Sequence, residues 1–169
     1  VIMMDDSISY ARYSKSLAES LEKQNVKVSV TIEKDKEGGK VYKSVNLQVF
    51  NGSNGLEKKG FVLDELVHIS FGYYLDDSGK MSSVPPLGGF AAPAFTAPLP
   101  AQNDIKNFFA LYWFNGVQWL KMGNHFDYDN QSISFGAKFS GDYQLRMVSP
   151  ATTPQLTSIY PRTITPNGD

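Results

Sequence analysis

The chain has 169 residues, 41% of them hydrophobic and 13% aromatic, enough for one buried core and one domain with a short extension. Its 16 Lys and Arg stand against 17 Asp and Glu, which excludes the basic excess needed to hold nucleic acid or an anionic membrane. Cysteine is absent, which removes disulfides, thiolate catalysis and Cys-based zinc sites together, and no run reaches the roughly 18 apolar residues of a membrane helix.

In chain order, residues from Asp6 to Gln24 form the one helix candidate. Asp6 or Ser7 can cap it, and Ile8, Ala11, Leu17, Ala18 and Leu21 fall on one stripe. After that the period is two. Val26, Val28, Val30 and Ile32 alternate with polar residues, as do Val41, Val45, Leu47 and Val49, so both segments predict half-buried strands. Asn51 to Gly55 is a turn cluster. Phe61, Leu63, Val67, Ile69, Phe71, Tyr73 and Leu75 share one parity and predict a long third strand, interrupted near Asp64-Glu65.

The segment Ser82 to Asp104 breaks this rhythm. It carries five prolines, and proline cannot donate to a sheet ladder, so it predicts a long Pro/Ala-rich loop. Ile105 to Phe114 is apolar on both parities and predicts a central strand. Asn115-Gly116 is a hairpin turn with Val117 to Met122 returning from it. Gly123-Asn124 turns again before the strand of Ile133, Phe135 and Ala137. Gly141-Asp142 turns into Tyr143, Leu145 and Met147. Short antiparallel strands with Gly/Asn turns between them read as an all-β, immunoglobulin-like sandwich over residues 1–150, with an N-terminal helical arm. Residues 151–169 read as an extended linker to a further C-terminal domain, because the chain stops on the turn signal Asn167-Gly-Asp169.

Candidate chemistry is sparse. Asp127, Asp129 and Asn130 offer oxygens at alternating positions, as calcium loops do, but without the Gly and distal Glu of an EF-hand, so a solvated turn is the alternative. No other cofactor is expected. His68 and His125 read as surface histidines. No G-x-S-x-G, H-E-x-x-H or P-loop appears, which points away from an enzyme. Trp113, Trp119, Tyr73 and Tyr74 make a candidate sugar platform. The alternative for the tryptophans is one ring in the core and one packed across the hairpin. Leu87, Phe90, Phe95 and Leu99 give the Pro/Ala loop an apolar character that suits docking, either on its own domain or on a neighbouring subunit or domain.

Two stretches resemble known modules. The run Phe109-Ala-Leu-Tyr-Trp-Phe-Asn-Gly-Val-Gln-Trp-Leu-Lys-Met-Gly123, continuing through Asp127-Tyr-Asp-Asn-Gln-Ser-Ile-Ser-Phe135 to Phe139-Ser-Gly-Asp-Tyr-Gln-Leu145, is similar to the final hairpin repeat of ZU5-like β-sandwich modules in large bacterial surface proteins. Lys138-Phe139 stands where that pattern usually has His-Phe. Tyr160-Pro-Arg-Thr-Ile-Thr-Pro-Asn-Gly-Asp169 resembles the opening of FlgD-like and gliding-motility C-terminal immunoglobulin domains. The resemblance implies a non-catalytic structural module of a secreted, multidomain, cell-surface protein. Its partners would be neighbouring domains, copies of itself or other surface proteins, with spacing, packing or assembly as its role. The alternative is a carbohydrate- or ligand-binding sandwich using surface aromatics.

Overall fold

The protein is described from a computed structural model over residues 2–4, 8–33, 41–82 and 100–148. Its strands are β1 (Ile2–Met3), β2 (Tyr10–Arg12), β3 (Val26–Glu33), β4 (Val41–Asn51), β5 (Val62–Gly72), β6 (Tyr74–Leu75), β7 (Met81–Ser82), β8 (Phe109–Phe114), β9 (Trp119–Met122), β10 (His125–Asp127), β11 (Ser132–Phe139) and β12 (Gly141–Met147). The helices are α1 (Lys15–Lys23), a 3-10 turn (Gln102–Asp104) and α2 (Ile105–Phe108). Two five-stranded antiparallel sheets pack as a sandwich. The first has the order β1-β2-β5-β11-β10 and the second β3-β4-β12-β8-β9, while β6 and β7 form a small ribbon.

Alternation builds the core. Val45, Leu47 and Val49 of β4, and Leu111 and Leu145 from its sheet, face Leu63, Val67, Ile69, Phe71, Ile133 and Ala137 of the other sheet, all fully buried. Each such side chain contributes about 1.5 to 3 kcal/mol by leaving water. The strand of residues 61–75 ends earlier than its parity predicts, at Gly72. Near Asp64-Glu65 its pairing with β11 slips between Ala137 and Phe139, where the sequence suggests an interruption.

Two elements differ from the sequence-based expectation. The helix starts at Lys15, with Ser14 as its cap accepting from the Leu17 amide at 2.9 Å; Asp6 and Ser7 lie outside the described residues. Tyr10 to Arg12 pair instead with Ser70, Ile69 and His68 of β5, and tertiary pairing overrides the helical stripe that Ile8 and Ala11 seemed to share with Leu17. Residues 102–108 are helical, so the strand expected from Ile105 begins at Phe109. Gln102-Asn103-Asp104 supplies turn chemistry before it, and Ile105 is buried from the helix. Of the Pro/Ala loop, 83–99 lie outside the described residues. Its far end is tied back where the Met81 amide donates to the Pro100 carbonyl at 3.0 Å and the Gln102 amide to the Gly79 carbonyl at 3.1 Å.

Helix α1 closes one side of the sandwich. Strand β2 covers only residues 68–70 of β5, so the preceding stretch of β5 has no strand on that side. There α1 packs against β3 and β5, burying Leu17 and Leu21. Ser14 donates to the Glu65 carboxylate, and Ser20 and Gln24 both donate to Asp64.

The crossover from β11 to β12 joins the sheets. Phe139 ends β11 in the first sheet, and Gly141 begins β12 in the second. Tyr143, fully buried, donates its hydroxyl to the Phe139 carbonyl at 2.7 Å, and the Phe139 amide donates back to that oxygen at 3.3 Å. This is the geometry of a tyrosine corner. Ser140 pins the same bend. Its amide donates to the Phe61 carbonyl at 2.9 Å and its hydroxyl accepts from the Phe61 amide at 2.8 Å. Gly141 has φ +134°, and a Cβ there would sit 3.1 Å from the Phe114 carbonyl oxygen and from the Trp113 indole nitrogen.

Burial pushes the Tyr143 phenol up to about 12, against the opposing pull of its backbone bonds at Phe139 and Lys138. The folded chain therefore keeps this proton between its usual value of 10.0 and about 12, where the unfolded chain has lost it. Stability falls as pH rises through that window, by at most about 1.4 kcal/mol per pH unit from this group. Chemical denaturation of Tyr143→Phe is expected to show a loss of about 1 to 3 kcal/mol at neutral pH, and a shallower alkaline decline than the parent chain. An unchanged midpoint and an unchanged alkaline slope would contradict this assignment.

Candidate functional site

Register places the two tryptophans on opposite sides of the second sheet. Trp113 pairs with Tyr143 and points inward. Its ring stacks on Phe139 at 4.7 Å and lies 6.5 Å from the Tyr143 ring, so it belongs to the crossover and not to a ligand platform. Trp119 pairs with Phe114, points outward and is half-buried. Two coplanar tryptophans are therefore not available. One ring supports the core and the other packs across the hairpin.

On the outer face around Trp119 the fold adds Gln144 and Arg146 to the hairpin aromatics. Tyr112, Phe114, Gln144 and Arg146 share this face by strand parity. The Arg146 guanidinium carbon lies 4.1 Å from the centre of the Trp119 ring and 5.7 Å from that of Tyr112. Gln144 orients it, accepting from Arg146 Nε at 2.7 Å. Phe114 packs on Trp119, with ring centres 5.2 Å apart. Ala110, paired with Arg146 on this face, is only 2% exposed. A cation stacked on a π face strengthens as water is removed, by about 0.5 to 2 kcal/mol. The guanidinium occupies one face of the Trp119 indole. Asn46 and Asp142 bond to each other in the next columns of the same sheet face. The signal was present in the sequence: the parity of Tyr112 and Phe114 across Asn115-Gly116, and that of Arg146 along β12.

At one end of the first sheet a second arrangement forms. A cleft of about 290 Å³ is lined by Ile8, Gly72, Tyr73, Tyr74, Asp129, Asn130 and Gln131. It brings together four residues singled out separately in the sequence, two tyrosines and two presumed calcium ligands. Tyr73 itself is 3% exposed and sits in the core, so it presents no ring to solvent. Burial raises its pKa, the Gln102 amide beside it pulls the other way, and nearby Tyr128 and Asp127 add to the rise. No well-formed hydrogen bond reaches its hydroxyl. Tyr74 is half-buried, and Asp129 and Asn130 are exposed.

Asp127 accepts from the Asn130 amide at 3.0 Å and from Asn130 Nδ2 at 2.7 Å, one bond to each carboxylate oxygen. These two bonds hold its carboxyl below the usual range, with a smaller contribution from His125. Asp76 repeats the device, accepting from Ser78 and Lys80, and is lowered likewise. Glu65 is lowered by the Ser14 and Ser16 hydroxyls. Such groups stabilise the fold above their unfolded pKa and lose that contribution as pH falls through the folded one. His68 and His125 are exposed and two strands apart, with β11 between them. Among the described residues, no three His, Cys, Asp or Glu side chains gather closely enough to hold a metal.

Leu87, Phe90, Phe95 and Leu99, the loop residues with docking character, lie outside the described residues, as do 151–169. No protein-family model, curated protein sequence or solved structure matches this chain.

Proposed function

We propose that the chain is a non-catalytic structural module of a multidomain extracellular or cell-surface bacterial protein, acting in spacing, packing or assembly. The observation that carries this reading is the outer face of β12, β8 and β9. Two aromatic rings there, Tyr112 and Trp119, hold Arg146 between them, Phe114 packs on Trp119, and all three rings remain partly exposed on the sheet surface. Preordered aromatics and arginine on a flat face suit packing against another protein surface, because little side-chain entropy is left to lose. The acids support the same reading, since Glu65, Asp76 and Asp127 are each bonded within a cap or turn and do not converge on a pocket. The resemblance of the Trp119 hairpin to surface-protein modules agrees with it. Sedimentation velocity of the chain over a concentration series is expected to show reversible self-association. Phe114→Ser with Trp119→Ser should abolish it without lowering the melting temperature by more than a few degrees. A parent chain that stays monomeric throughout, or a double variant that associates unchanged, contradicts the packing role of this face.

A second reading, ligand binding by surface aromatics, is favoured by the cleft at Tyr74 and by the partial exposure of Trp119. Glycan titration followed by tryptophan fluorescence reports on the Trp119 face specifically. A flat response across neutral and acidic oligosaccharides removes that face as the ligand platform.

A further inference from the structure

We infer that the cleft between the end of β5 and the Tyr128–Gln131 turn binds one uncharged, hydroxyl-rich ring, a pyranose unit of a glycan. The inference rests on the ligand-binding reading above and places the ligand away from both tryptophans.

The walls are fixed by backbone contacts. A Cβ on Gly72 would come within 2.3 Å of the Ile8 carbonyl oxygen, so glycine lets the chain before β2 close over the end of β5. On the opposite side the Tyr73 amide donates to the Gln131 carbonyl at 2.9 Å. Gln131 adopts φ +47°, a left-handed conformation rare for a residue with a side chain. The Asp127 cap holds the turn in that shape. A preformed cleft loses little entropy on binding.

The lining has the chemistry of a polyol site. Asp127 makes side-chain hydrogen bonds of the turn, which leaves the Asp129 carboxylate and the Gln131 side-chain amide without a hydrogen bond to the described protein groups. Asn130 donates through Nδ2 to Asp127, so its carbonyl oxygen is the end that is spare. An acceptor-only carboxylate, an amide with both donor and acceptor, and a carbonyl together match hydroxyls that both give and take protons. Tyr74, half-buried, and Ile8 supply apolar surface for the C–H face of a ring. Charge narrows the class. Asp129 is the one ionised side chain among the lining residues, too little for a divalent cation and unfavourable for a phosphate or carboxylate. The Lys43 ammonium is bound to the Gly72 carbonyl oxygen at 2.6 Å and the Ser9 hydroxyl at 3.0 Å and is not among the lining residues. The depression, about 290 Å³ and largely open to solvent, offers a seat for one face of a single ring.

Proton–nitrogen correlation spectra of the full chain, titrated with methyl glucoside, methyl mannoside, methyl galactoside and N-acetylglucosamine, test this. The expected result is saturable movement of the Gly72, Tyr74, Asn130 and Gln131 amides with at least one sugar. Tyr74→Ala and Gln131→Ala should each weaken it by about tenfold or more while the remaining spectrum stays dispersed. Movement confined to Trp119–Met122, with the cleft silent, overturns this site and leaves the ligand-binding reading standing. Silence everywhere overturns both. Calcium chloride moving the same amides more strongly than any sugar assigns the cleft to a cation and overturns the sugar proposal.

Discussion

The structure depends on the bend at residues 139–143. A β-sandwich has no covalent tie between its layers except where the chain passes from one to the other. The shortest such passage among the described residues takes a single residue, Ser140, between an interior strand of the first sheet and the middle strand of the second. Its backbone polar groups would be costly to bury unpaired. The Tyr143 hydroxyl satisfies those of Phe139 from within the core, and Ser140 bonds the backbone of Phe61, the residue before β5. The Tyr143 ring then packs 5.2 Å from Phe135 in the opposite sheet, and Trp113 closes over the bend by stacking on Phe139. Losing the corner would release a hydrogen-bonded phenol, an indole and the register of both layers at once.

The distribution of function-bearing groups follows from that frame. Because Trp113 is committed to the bend, the alternation of the sheet sends Trp119 outward, where Arg146 meets it. The first sheet stops being continuous at Gly72, and the Tyr128–Gln131 turn meets the end of β5 there. The cleft is a consequence of where strands end. Helix α1 works on the other flank, filling with Leu17 and Leu21 the space left by a short β2. The carboxylates on that flank serve as anchors for serine and glutamine side chains.

Much of the sandwich was legible because each strand has one wet face. Val26 to Val30, Val41 to Val49 and Ile133 to Ala137 alternate plainly, and Asn115-Gly116 fixes a hairpin by turn chemistry alone. The start of α1 was not legible. Ile8 and Ala11 fit a helical stripe by spacing, and only the pairing of Tyr10–Arg12 with β5, more than fifty residues on, decides for a strand. Ile105 misled for a related reason: a buried residue on one turn of helix has the same apolar signature as one in a central strand. The aromatic cluster was half legible. Trp119 stood out, but Arg146 lies nearly thirty residues away and enters only through the register of β12 against β8. The cleft was illegible as a cleft, because Ile8, Tyr74 and Asp129 meet through long-range closure, although Tyr74, Asp129 and Asn130 were each conspicuous.

If the bend is the constraint on which both sheets depend, it opens only when the whole domain unfolds. Native-state hydrogen exchange measures this residue by residue. The amides of Phe139, Tyr143 and Leu145 are predicted to exchange with a free energy equal to that of global unfolding, and with the same denaturant dependence. Exchange of these amides through a local opening well below the global value, while those of β4 and β5 stay protected, would contradict the account.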